Sequence, residues 1–160
     1  MNLSKKCNQY SDRLFVIDGR EKELVSKTEE IVYQFSNSIS DVIDLPDGGS
    51  VALISDGTNA DYDDQNIFAF NANGSLRWRN QPRQVRRVTR SPFKAGAHEE
   101  ARAFQDLFYE LGSGATRKRS KKYFDGAILA ALTGWHDLYD INMNTGEIAF
   151  RRNTGSHDQD

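Results

Sequence analysis

The residues with the clearest chemical potential form an acidic stretch. Asp56, Asn59, Asp61, Asp63 and Asp64 put five oxygen donors within nine residues. That is the donor type a calcium ion takes, but the glycine and the terminal glutamate of the helix-flanked calcium loop are missing. Asp and Asn are also ordinary turn formers, so a solvated loop explains the same residues. A third use is recognition, with clustered carboxylates mimicking nucleic-acid phosphates in the basic cleft of a nuclease. Charge complementarity of that kind speeds encounter and selects partners. Asp41, Asp44 and Asp47 extend the acidic face if they project the same way.

A second chemistry is basic. Arg83, Arg86, Arg87, Arg90 and Lys94 form one cluster, and Arg117, Lys118, Arg119, Lys121 and Lys122 another. Nucleic acid or an acidic protein suits them, with binding that weakens steeply in salt. Few aromatic residues interleave with these charges, so the stacking platform of a single-strand binder is missing.

Catalytic and metal chemistry find less support. After His98-Glu99-Glu100, position 102 is Arg rather than the second His of a zinc protease. His136 and His157 are scattered, and Cys7 is the one cysteine, which excludes an internal disulfide and a multi-cysteine metal site. No glycine-rich phosphate loop or nucleophile elbow is present, and the spacing of Asp125 and Asp137 does not mark a catalytic pair. The expectation is a non-enzymatic protein with no cofactor and no metal. The candidate partner-binding residues are Asp56, Asp61, Tyr62, Asp63, Asp64, Arg86, Arg87, Arg119 and Trp135, with Tyr123 as a further aromatic anchor.

The elements that must position these residues read mostly as strands. Leu14–Ile17 ends at Asp18-Gly19; Glu30–Phe35 and Ile39–Leu45 mix β-branched and aromatic residues with polar ones. Leu45-Pro46-Asp47-Gly48-Gly49 turns the chain into Val51–Ile54, apolar on both faces and therefore a central strand. Ile67–Phe70 and Leu76–Arg79 flank Asn73-Gly74, a strong hairpin signal. Phe68 and Phe70 are placed on one face, and Leu76 and Trp78 on one face of the returning strand. Asp137–Ile141 and Glu147–Arg151 repeat that hairpin around Gly146, with Ala127–Leu132 before them, so Trp78 aligns with Phe150. Between the copies, Ala101, Phe104, Leu107, Phe108 and Leu111 stand at helical spacing before Gly112, which predicts one helix; a strand over Asp106–Leu111 competes with it. Gln81–Gly96 and Ser113–Lys122 read as basic, mobile arms.

The predicted architecture is a single mostly β domain over 1–160. A first antiparallel meander covers about 30–80, a basic insertion with one helix or ordered segment 81–122, a second meander 123–152 and a tail 153–160. Two copies cannot close a ring of blades, so the meanders form a curved sheet or a sandwich, an incomplete propeller. The expected core is Phe68, Phe70, Leu76, Trp78, Leu138, Ile141, Ile148 and Phe150, above Val51, Leu53, Ile128 and Leu129.

Asn66–Trp78 and Leu138–Ile148 resemble the outer strands of quinoprotein-type propeller blades, where Ala-Phe-Asp-x-x-x-Gly-x-x-x-Trp recurs. The stretch from Tyr33 to Arg152 also resembles small bacterial proteins that carry this hairpin twice, some of them similar to immunity proteins of secreted toxin systems. A quinone is not implied, since holding one takes a full propeller.

Charge is segregated along the chain. Residues 1–74 carry six basic and thirteen acidic side chains, 75–122 thirteen and four, and 123–160 two and six. Segregation of this kind bears on partners rather than on fold. No run reaches the ~18 apolar residues of a membrane helix, and the first residues lack the apolar stretch of a signal peptide, so a cytoplasmic location is expected. The functional expectation is a protein-binding module, an immunity protein that neutralises a cognate bacterial toxin domain encoded nearby. The alternative is a nucleic-acid-associated accessory protein using the basic insertion 83–122.

Overall fold

The computed structural model describes residues 9–55, 64–82, 103–134 and 136–154, with the backbone of 87–88 and 98–99. The described fold is mostly β, in three antiparallel meanders rather than two. The first sheet joins β1 (Phe15–Ile17), β2 (Arg20–Val25) and β3 (Ile31–Gln34). The second joins β4 (Ile39–Asp44), β5 (Ser50–Ile54), β6 (Ile67–Phe70) and β7 (Leu76–Arg79). A two-stranded ribbon, β8 (Arg87–Val88) with β9 (His98–Glu99), precedes the third sheet. That sheet comprises β10 (Phe104–Leu111), β11 (Lys118–Ser120), β12 (Ile128–Thr133), β13 (Asp137–Ile141) and β14 (Ile148–Asn153), in the order β11-β10-β12-β13-β14.

Side-chain alternation explains how the sheets stack. In the middle sheet, Val42, Ala52, Ile54, Phe68 and Phe70 face Leu14, Val16, Leu24 and Phe35 of the first. Residues one step away, Ile43, Val51, Leu53, Ile67, Ala69 and Trp78, face Phe104, Leu107, Tyr109, Leu129, Ala131, Tyr139 and Ile141 of the third. A strand buried on both faces reads as a near-continuous apolar run, as Val51–Ile54 and Ile67–Phe70 do, and β5 and β6 are buried throughout. The three meanders thus pack as successive propeller blades do, without closing.

Three expectations are corrected. The helix over 97–111 is not formed: among its described residues His98–Glu99 is β9 and Phe104–Leu111 is β10, which pairs antiparallel with β12 from Phe104↔Thr133 to Glu110↔Ile128. Helical spacing gave way because Leu107 and Tyr109 fill the core against the middle sheet while Phe108 faces the opposite side. The arm at 113–122 is ordered as a 3-10 turn, Gly114–Thr116, followed by β11, which pairs with β10. Finally, Leu76 and Trp78 lie on opposite faces. A bulge sets Phe70 opposite Leu76 but Ala69 opposite Trp78, so Leu76 ends 45% exposed.

The matching hairpin of the third sheet has its bulge elsewhere, between Leu138 and Tyr139. Phe150 therefore stands beside Tyr139, ring centroids 5.5 Å apart, on an edge strand and 43% exposed, whereas its sequence counterpart Trp78 is buried. Ile128 is exposed and Ile148 half-buried, while the rest of the expected core is buried. Trp78 also explains Gly146, whose φ is +77° and where a Cβ would stand 2.7 Å from the indole. The indole nitrogen donates to the Met143 carbonyl at 2.8 Å, locking the second sheet to the β13–β14 turn.

Candidate binding groove between the second and third sheets

Most of the acidic and basic candidates do not converge among the described residues. Asp56, Asp61, Tyr62, Asp63, Arg86 and Trp135 lie outside them, and Arg87 is placed only by its backbone in β8. Asp64 is half-buried, and its carbonyl accepts the Asn80 amide at 2.9 Å. Arg119 bonds Glu110, which is 1% exposed and is also held by Arg151; Arg151 in turn holds Asp140. With Arg119 also over the Phe108 ring at 4.3 Å and Lys118 over Phe124 at 4.3 Å, much of the second basic cluster serves the third sheet itself.

Nor do Asp41, Asp44 and Asp47 form one acidic face. Asp41 and Asp44 are three residues apart on β4 and so point to opposite faces. Asp44 accepts the hydroxyls of Ser11 at 2.5 Å and Ser50 at 3.1 Å. Asp47, on the β4–β5 turn, pairs with Arg77 at 2.9 Å, which holds its carboxyl below the usual range.

Asp41 instead turns toward the third sheet, where the most concentrated polar chemistry of the described chain lies. Lys121 Nζ donates to Asp41 Oδ2 at 2.7 Å, to Asp106 Oδ1 at 2.8 Å and to the Leu107 carbonyl at 2.6 Å. Asp41 comes from β4, Asp106 from β10 and Lys121 from the segment after β11, so this ammonium joins the first strands of two sheets. Burial lifts the Asp41 carboxyl above its ordinary value against the pull of Lys121, with Asp106 adding to the rise. Burial also works against the Lys121 charge, but its bonds to Asp106 and Asp41 outweigh it and raise its pKa. A nucleophilic lysine needs the opposite shift.

This cluster sits in a cavity of about 250 Å³ that also exposes Tyr10, Ser40 and Gln105. A second cavity of about 150 Å³ shares Tyr10 and Lys121 with it and reaches Arg13, Lys122 and Tyr123. A third, of about 360 Å³, shares Leu45 and Pro46 with the second and is floored by Leu129, Ile141 and Met143. Shared lining residues link the three in turn, the first lying between β4 and β10 and the last between the β4–β5 and β13–β14 turns. Tyr10 and Tyr123 stand beside it at 40% and 39% exposure. Tyr123 is braced edge-on against Tyr109, centroids 5.3 Å apart, and the Tyr109 hydroxyl donates to the Asp44 carbonyl at 2.6 Å.

Sequence reasoning missed the groove because its residues come from four distant segments. The one available signal was Lys121-Lys122-Tyr123, split between a basic arm and an aromatic afterthought. Among the described residues no group of three or more His, Cys, Asp or Glu gathers as a metal site, and no helix is long and apolar enough to cross a membrane. No protein-family model, no curated protein and no solved structure matches this chain.

Proposed function

We propose that the chain is a protein-binding module whose contact surface centres on the groove between β4 and β10. The observation that carries this reading is the pair of exposed tyrosines, Tyr10 and Tyr123, set beside two adjoining cavities of mixed charge. Tyrosine supplies large contact area with a polar tip at little entropic cost, and interface energy concentrates in such side chains. Lys121 fills the space between the two carboxylates that a substrate would need, which favours recognition over acid–base chemistry at this site. Within that reading, and on the resemblance of the two hairpins, we propose that the partner is a bacterial toxin domain that this chain neutralises as an immunity protein.

The test is affinity for the protein encoded beside this one. Tyr10→Ser with Tyr123→Ser is expected to weaken it at least tenfold without loss of fold. Asp61→Lys, Asp63→Lys and Asp64→Lys together test the acidic loop, and Arg86→Glu with Arg87→Glu the basic insertion. If the tyrosine pair binds normally, the groove is not the contact surface. If the neighbour arrests growth when expressed alone and growth returns on co-expression, the immunity reading holds.

A further inference from the structure

The trough has a chemical polarity that narrows its occupant. Lysine has three N–H donors, and Lys121 has committed all three, to Asp41, Asp106 and the Leu107 carbonyl. An anion entering this end finds no ammonium proton to bind. Two carboxylates here face one lysine, and the Asp106 side chain is 50% exposed. Both of its bonds to described residues use Oδ1, which leaves Oδ2 for an incoming donor. The Tyr10 ring, already 5.8 Å from Lys121 Nζ, offers a face that a cation can share. This end accepts a cation.

The opposite end is different. Leu45, Leu129 and Ile141 floor it, Met143 is half-buried beside it, and Ile128 stands 42% exposed at its lip. Among the described residues lining it, the cation is Arg77, bound to Asp47 through two nitrogens and to Asn71 through Nε at 2.8 Å. An apolar side chain suits this end. Between Ser40 and Asp47 the three cavities border β4 and the start of its turn one after another, over roughly 20 Å at ~3.3 Å per residue. An extended chain of about six or seven residues covers that span.

We infer that the groove takes an extended peptide segment of the partner, with a Lys or Arg side chain on Asp106 and an aliphatic or aromatic side chain about five residues away in the pocket over Leu129 and Ile141. The inference rests on the protein-binding reading and specifies the partner's chemistry. The length matches the trough, the cation matches the unbalanced carboxylate, and the apolar residue matches the far floor.

The experiment selects random displayed heptapeptides on the intact protein, then measures synthetic versions of the enriched sequences by fluorescence anisotropy. Enrichment of one basic and one apolar residue four to six positions apart is expected. Asp106→Asn should then weaken binding about tenfold for peptides carrying the basic residue and leave their Gln-substituted forms unchanged. Met143→Ser should show the same selectivity at the apolar position. Acidic winners, or winners indifferent to both variants, overturn the inference. If no peptide enriches while the tyrosine pair still controls the neighbour's binding, the peptide inference fails and the protein-binding reading stands. If such peptides bind and the neighbour does not, the choice of partner fails instead.

Discussion

The side-chain amide of Asn66 clasps the backbone of Phe104, accepting its N–H at 3.0 Å and donating to its carbonyl at 2.8 Å across 38 residues of sequence. The same amide donates to the Ile54 carbonyl at 2.7 Å, so a fully buried asparagine ties the end of β5 to the start of β10. Buried amides are stable only when so satisfied.

Asn66→Leu keeps the volume and removes those partners, orphaning the buried N–H and carbonyl of Phe104. Each orphan costs about 1–3 kcal/mol, so a loss of about 2–6 kcal/mol is expected. Urea unfolding checks it through a lower midpoint at unchanged slope; a change below about 1 kcal/mol would show that Phe104 finds other partners.

The two aligned hairpins give a contrast in magnitude. Trp78→Ala removes a buried ring and its bond to Met143, and should cost about 3–5 kcal/mol. Phe150, 43% exposed on an edge strand, should lose about 1 kcal/mol or less as alanine. Equal losses in thermal scans would mean that the bulges do not separate the two faces as described.

That contrast also marks how far the sequence could be read. Turn chemistry and alternation placed the four strands of the second sheet and β12, β13 and β14 of the third, because Pro46-Asp47-Gly48-Gly49, Asn73-Gly74 and Gly146 act locally. β2 escaped notice, since Arg20–Glu23 are charged and only Leu24 and Val25 enter the core. The faces of Leu76 and Phe150 depend on which rung carries a bulge, and β10 on what its apolar residues meet. Those are tertiary facts. The groove was illegible for the same reason, since Tyr10, Asp41, Asp106 and Lys121 meet only after the second and third sheets have stacked.

Lys121 should prove structural as well as positional. Lys121→Met leaves Asp41, 6% exposed, without its cation, and should cost about 3 kcal/mol at pH 7, the low end for a broken buried pair because the lysine is about a quarter exposed. The pH dependence carries the signature. Burial already raises the Asp41 pKa, and losing Lys121 raises it further, so the folded variant prefers the protonated acid. The penalty is absent below the ordinary carboxylate pKa and grows as pH rises through the raised one. The gap to wild type should therefore narrow between pH 7 and pH 4, and Asp41→Asn should recover much of it at pH 7. A gap independent of pH would assign the loss to packing alone.

Tyr109 predicts the alkaline limit. Its phenol is fully buried and donates to the Asp44 carbonyl, and burial followed by the nearby Asp44 charge lifts its pKa far above the ordinary value of about 10. The folded state keeps a proton that the unfolded chain releases, so this contribution is complete below pH ~10 and falls by about 1.4 kcal/mol per pH unit above it. Lys121, whose pKa is also raised by its bonds to Asp106 and Asp41 against its burial, adds a loss of the same sign above about 10.5. Tyr109→Phe forfeits the bond to Asp44, about 1 kcal/mol at pH 8, but no longer titrates. Its stability should fall less steeply than wild type from pH 10 to 11.5, so the two curves approach each other. Parallel curves from urea unfolding across that range would show that the phenol ionises in the folded state as readily as in the unfolded one.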